Sequence, residues 1–172
     1  HNLNPRLLLA QTWRTGVGIL SSFGLLNCLI LLESRQLSDA ALASFLLGCR
    51  LVSAIADISK APFYSRVPEM FRTFREGKLS ALLRFSTRRM LIANSLYITA
   101  WAIIGLTGPK ALQLIHSQTE FPDSSLWHSL GLAYFLQRVG AMHVQVVCAC
   151  NRIITHISDG ATAAISLLTY LL

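Results

Sequence analysis

The chain has 172 residues, of which 53% are hydrophobic and 13% charged, with a mean hydropathy of +0.51. Soluble domains carry about a quarter charged residues, so this composition excludes an ordinary soluble core and indicates an integral membrane chain. The net charge of +7 invites a nucleic-acid partner. The basic residues, however, sort by loop, which excludes that partner: ten sit in segments 1–14, 66–89 and 151–159, against Arg35 and Lys110 in the opposite connections. That asymmetry is what the positive-inside rule produces, and it makes the basic loops cytoplasmic.

Several runs are apolar around the whole helix instead of along one face, as membrane-embedded helices are. The pattern predicts an all-α, polytopic transmembrane bundle of about five spans, near 14–32, 39–63, 88–107, 126–150 and 158–172, with a basic interfacial helix over 66–88. The chain reads as one membrane domain. Trp13 and Arg14 anchor the first span, whose Gly16, Gly18 and Gly24 suit close helix packing.

The second span carries the most information. Asp39, Arg50, Ser53, Asp57, Lys60 and Tyr64 fall on one helical stripe, while the other faces are almost wholly apolar. An ionised group at membrane depth costs at least roughly 2.5 to 3.5 kcal/mol on insertion scales, so this stripe is expected to face other helices or a wet cavity. Pro62 and Pro68 then mark the exit from regular helix. Beyond them Arg84, Arg88 and Arg89 alternate with apolar residues as the chain returns to the membrane.

Gly108 and Pro109 give a strong stop to the third span, and 110–125 reads as an outer connection with a short amphipathic start at 111–115. Trp127 anchors the fourth span. There a second stripe, Trp127, Gly131, Tyr134, Arg138, Ala141, Gln145 and Cys148, sets Arg138 near mid-membrane. Arg138 and Gln145 need internal partners, and Asp57 is one candidate, though it can equally pair with Arg50 or Lys60. The run from Gly160 onward is 13 residues long, too short to span, so the chain is expected to be a piece of a larger transporter.

Four cysteines form neither a disulfide scaffold nor a zinc site: Cys28 and Cys49 lie within spans, and Cys148 and Cys150 point to different faces. No metal, cofactor or catalytic residue is expected. Arg50 and Arg138 offer the fork of donors that suits a phosphate leaving water. Tyr64, Tyr134 and Gln145 suit sugar hydroxyls or, equally, helix packing. Asp57 is either a titrating group for a coupling ion, H+ or Na+, or a structural neutraliser of a neighbouring base.

A charged second span ending in proline, followed by PFYSRVPEMFRTFREGKL with its Pro-x-x-Ser-x-x-Pro and Gly-Lys, resembles the O-antigen and lipid-linked oligosaccharide flippases. These belong to the multidrug/oligosaccharidyl-lipid/polysaccharide exporter superfamily. The resemblance implies the C-terminal half of a two-bundle transporter in the bacterial inner membrane, its partner half lying elsewhere. It implies alternating access through a cationic cavity for an undecaprenyl-diphosphate-linked oligosaccharide, with Arg50, Lys60 and Arg138 as the cavity cations. Two alternatives stand beside it. A multidrug or cation antiporter of the same superfamily needs an acidic cavity, for which Asp57 is the one deep acid. A membrane enzyme of polysaccharide assembly needs clustered carboxylates or convergent histidines, and neither pattern is present, so no enzymatic activity is expected.

Overall fold

A computed structural model of the chain describes residues 38–149, and the expected spans near 14–32 and 158–172 lie outside them. All regular structure among the described residues is helical: α1 (Asp39–Tyr64), α2 (Val67–Arg75), α3 (Leu79–Leu114) and α4 (Ser124–Ala149). Two helical stretches, Asp39–Arg75 and Leu79–Leu114, are long and apolar enough to cross a membrane.

Local chemistry sets the helix boundaries. The Ser38 hydroxyl accepts from the Ala41 amide and Asp39 occupies the first turn, so α1 starts on a side-chain cap with an acid at the positive end of its dipole. Between α2 and α3, Gly77 takes φ +73°, a left-handed conformation that favours glycine. Its amide bonds the Phe74 carbonyl while the Lys78 amide reaches back to Thr73, the paired closure of a Schellman motif. The basic segment expected as one interfacial helix is therefore two elements, α2 and the first turns of α3, separated by a turn.

Pro109 does not end α3, which continues to Leu114 and absorbs the expected amphipathic start of the connection. The returning chain supplies the reason. Gly108 lies directly under the Phe121 ring, and that tertiary contact holds the last turns in register despite the amide lost at Pro109.

Helices α1, α3 and α4 pack around two apolar clusters. One cluster gathers Phe63, Met70, Leu82, Met90, Ala93, Met142 and Ala149 beside the α2 turn. The other gathers Val52, Ile55, Ala56, Tyr97 and Trp127. In α3 the buried residues Leu82, Ser86, Met90, Ala93 and Tyr97 recur at steps of four and three, a stripe that stays on one face of the helix. Trp127 is 4% exposed and packs between helices, where an interfacial anchor was expected. Its indole stacks on that of Trp101 at 6.3 Å, and each ring lies over a glycine of the opposite helix, Trp127 on Gly105 and Trp101 on Gly131.

Candidate functional site

The two clusters meet at a charge. Arg138, 14 residues into α4, is 2% exposed and stands where α1, α3 and α4 come together. Nη1 donates to Ser59 Oγ at 2.6 Å, Nη2 donates to the Ala93 carbonyl at 3.0 Å, and the guanidinium carbon lies 4.7 Å from the centre of the Tyr97 ring. Ser59 passes the bond on, donating to the Ile55 carbonyl at 2.6 Å. The Tyr97 hydroxyl in turn donates to the Gly131 carbonyl at 2.8 Å, tying α3 to α4 one turn further along.

Arg138 thus has no carboxylate partner among the described residues, and its Nε has no hydrogen-bond partner there. A serine, a main-chain carbonyl and an aromatic face replace the counter-ion, which suffices because charge-assisted bonds to fixed dipoles are about twice as strong as neutral ones. Ser59 lies five residues before the end of α1 and Ala93 four residues after Arg89. At about 1.5 Å per residue this sets the guanidinium roughly 6 to 8 Å along the helix axes from Arg89 and from the end of α1, while on α4 Arg138 stands near the middle of the helix.

The expected second-span stripe divides: Ser53 and Tyr64 are half-buried against the bundle, while Asp39, Arg50 and Asp57 are exposed. α1 buries Gly48, Cys49, Val52, Ile55, Ala56, Ser59 and Phe63, and its charges point the other way. Arg50 is exposed, and Asp57 and Lys60 form a local ion pair at 2.9 Å with side chains 67% and 32% exposed. Arg50, Lys60 and Arg138 therefore do not converge on one site. Arg138 meets the buried face of α1, and the other two bases ride on the outward side. Asp57 is bonded to Lys60, and not to Arg138.

Tyr64 and Tyr134 are half-buried, packing against the first and second apolar cluster respectively, and Gln145 is half-buried on α4. Among the described residues no group of three or more His, Cys, Asp or Glu side chains is placed to hold a metal ion. An open apolar pocket of about 300 Å³ lies between α3 and α4, lined by Tyr97, Ile98, Trp101, Gly131, Leu132 and Phe135 among others.

Sequence reasoning missed Ser59, Ala93 and Tyr97. The usable signal was the small-residue spacing of the buried stripes: Ser59 interrupts the apolar face of α1, and Ala93 lies one turn from Tyr97 on α3. None of the three carries a charge to draw attention to it.

Comparison of the chain with protein-family models, curated proteins and solved structures gives no match.

Proposed function

We propose that this chain is a membrane-embedded part of a transporter for an anionic lipid-linked oligosaccharide, and that the outward face of α1 lines its path. One observation carries the proposal. α1 is long and apolar enough to cross a membrane, yet Arg50, Asp57 and Lys60 lie off the face it packs against the bundle, on a flank beside the exposed Ala54, Ile58 and Ala61. Against lipid that flank would be costly, because each centrally placed charge disfavours insertion. A flank of this kind suits a water-filled path or a further protein surface.

Arg50 has no acidic partner among the described residues and supplies a donor fork for a diphosphate. Arg138 is a positioning residue that fixes α1 against α3 and α4. The undecaprenyl-diphosphate carrier, the bacterial inner membrane, the cytoplasmic basic loops, a coupling H+ or Na+ and a second half of the transporter enter through the family resemblance. The antiporter alternative draws less support, since Lys60 neutralises its one deep acid. The activity proposed is translocation without covalent chemistry.

Thiol labelling tests the proposal. In full chains reconstituted without the native cysteines, Arg50→Cys and Asp57→Cys should react with a charged, water-soluble methanethiosulfonate. Leu96→Cys and Leu106→Cys, on the exposed apolar face of α3, should not. Equal protection at all four positions would mean that the α1 face is dry, and the path assignment would fall. With labelling in hand, Arg50→Gln should slow translocation of a diphosphate-linked oligosaccharide in proteoliposomes.

A further inference from the structure

The short helix α2 presents two unlike faces. Inward, Met70 is fully buried and Val67 and Phe74 pack on the first apolar cluster. Outward, Pro68, Phe71, Arg72 and Arg75 recur at steps of three, one and three, which places them together on one exposed face. Phe71 is 40% exposed there, and with Val67 these side chains line a shallow groove of about 380 Å³ whose floor is apolar and whose rim carries two guanidinium groups.

Aqueous solvent alone gives no reason for an exposed phenylalanine and proline between arginines. A membrane surface does, because its outer layer is anionic and the layer beneath is apolar. The neighbouring outward face of α3 shows the same boundary, passing from the exposed Arg84 and Arg88 to Leu91, which is 62% exposed, within one turn. α2 lies at that level.

The acids nearby leave the rim cationic. Segment 66–89 holds seven bases against Glu69 and Glu76. Glu69 is taken by Arg66 at 3.4 Å and Glu76 by Lys78 at 2.9 Å. The bond from Lys78 and its charge, with a smaller contribution from Arg72, hold the Glu76 carboxyl below the usual carboxylate range, so it is ionised and committed at neutral pH. Arg72 touches Glu76 only at 3.8 Å and is 75% exposed, while Arg75 has no acidic partner among the described residues.

We infer that this outward face of α2 is a docking surface for an anionic phospholipid, with the headgroup phosphate held by Arg72 and Arg75 and the glycerol and upper acyl carbons lying on Pro68 and Phe71. The surface is separate from the α1 path and stands whether or not the transport proposal does.

The test uses the full chain in dodecylmaltoside micelles and a fluorescent short-chain phosphatidylglycerol read by anisotropy. The probe should bind in a salt-sensitive manner, unlabelled phosphatidylglycerol should displace it, and phosphatidylcholine should compete at least tenfold less well. Arg72→Gln with Arg75→Gln should weaken binding by about thirtyfold, the change that two surface bases contribute against an anionic leaflet. Phe71→Ala should weaken it several-fold with the salt dependence retained, and Lys110→Gln should leave it unchanged. All four side chains are exposed, and a helical circular dichroism spectrum with a single gel-filtration peak confirms that each variant is folded. Equal competition by phosphatidylcholine would overturn the anionic assignment. Displacement by millimolar inorganic phosphate, with Phe71→Ala silent, would reduce the surface to a phosphate contact and overturn the lipid. Unchanged binding in the double arginine variant would remove the site from α2.

Discussion

Ser59→Ala is the smallest change that isolates how Arg138 is held. It deletes one hydroxyl and leaves the guanidinium buried, with Nη1 deprived of an acceptor at 2.6 Å. Leaving one donor of a buried charged group unmet costs about 1 to 3 kcal/mol in proteins generally, whereas side-chain bonds inside membranes average nearer 0.6 and reach about 1.7 kcal/mol. The bond is short and charge-assisted, so a loss of about 1.5 kcal/mol is expected, roughly tenfold in the folding equilibrium. Arg138→Met should behave differently. It removes the charge together with its desolvation cost, keeps a long apolar stem, and leaves Ser59 bonded to the Ile55 carbonyl, so the net change should stay within about 1 kcal/mol. In the Arg138→Met background, Ser59→Ala should then cost less than about 0.5 kcal/mol, leaving a coupling of about 1 kcal/mol in the double-mutant cycle. Equilibrium unfolding by sodium dodecyl sulfate in mixed micelles, followed by tryptophan fluorescence, reads all four corners. Equal cost of Ser59→Ala in both backgrounds would show that the two side chains do not interact and would refute the clamp.

Gly131→Leu drives a side chain into the Trp101 indole and should cost about 1 to 3 kcal/mol in that titration, whereas Gly140→Leu, which meets nothing within 4 Å, should be neutral or slightly stabilising. Asp57→Asn breaks an ion pair whose acid is 67% and whose base is 32% exposed, and should shift stability by less than about 1 kcal/mol, a larger loss refuting the view that solvent screens the pair.

The helices themselves were legible in the sequence. α1 begins at Asp39, where the expected second span begins, but the Gly77 turn was missed: the sequence predicts one basic helix over 66–88, in which the glycine that divides it figures only in a Gly-Lys pair. Rotation about the helix axes was not legible. A charged stripe on a membrane helix is expected to seek the bundle, and by that logic Arg50 and Lys60 belonged inside. Yet the face of α1 that packs is the one with Gly48, Ala56 and Ser59, whose small side chains let α3 and α4 approach. Hydropathy registers charge more strongly than size, so it pointed to the wrong face. Arg138 was identified as buried, but its partners were hidden for a related reason: a carbonyl has no residue type, and a serine on an apolar face looks like a small packing residue. At Pro109 the local stop signal was real, but the Phe121 contact that overrides it joins residues thirteen apart across a turn, and a residue-by-residue pass does not see it.

Arg50 and Arg138 set out two ways for a membrane helix to carry a cation. Arg138 is held by fixed dipoles, with Ser59, the Ala93 carbonyl and the Tyr97 face in place before any ligand arrives, and a group so engaged has little to offer a passing phosphate. Arg50 is exposed near the middle of α1, about 16 Å from the Asp39 end and 21 Å from the Tyr64 end at 1.5 Å per residue, farther than its side chain reaches to either surface. Facing lipid there, it would disfavour insertion by about 2.5 to 3.5 kcal/mol, a sizeable share of the 5 to 15 kcal/mol that keeps most proteins folded. Asp57 does not offset this, because its bond is to Lys60. Water or a further protein surface beside Arg50 removes the cost, and an anionic substrate reverses its sign. On the proposed path the charged flank of α1 is where an anionic substrate would gain most, and Asp57, 67% exposed on that flank, is the second position whose labelling distinguishes a wet path from a dry protein interface.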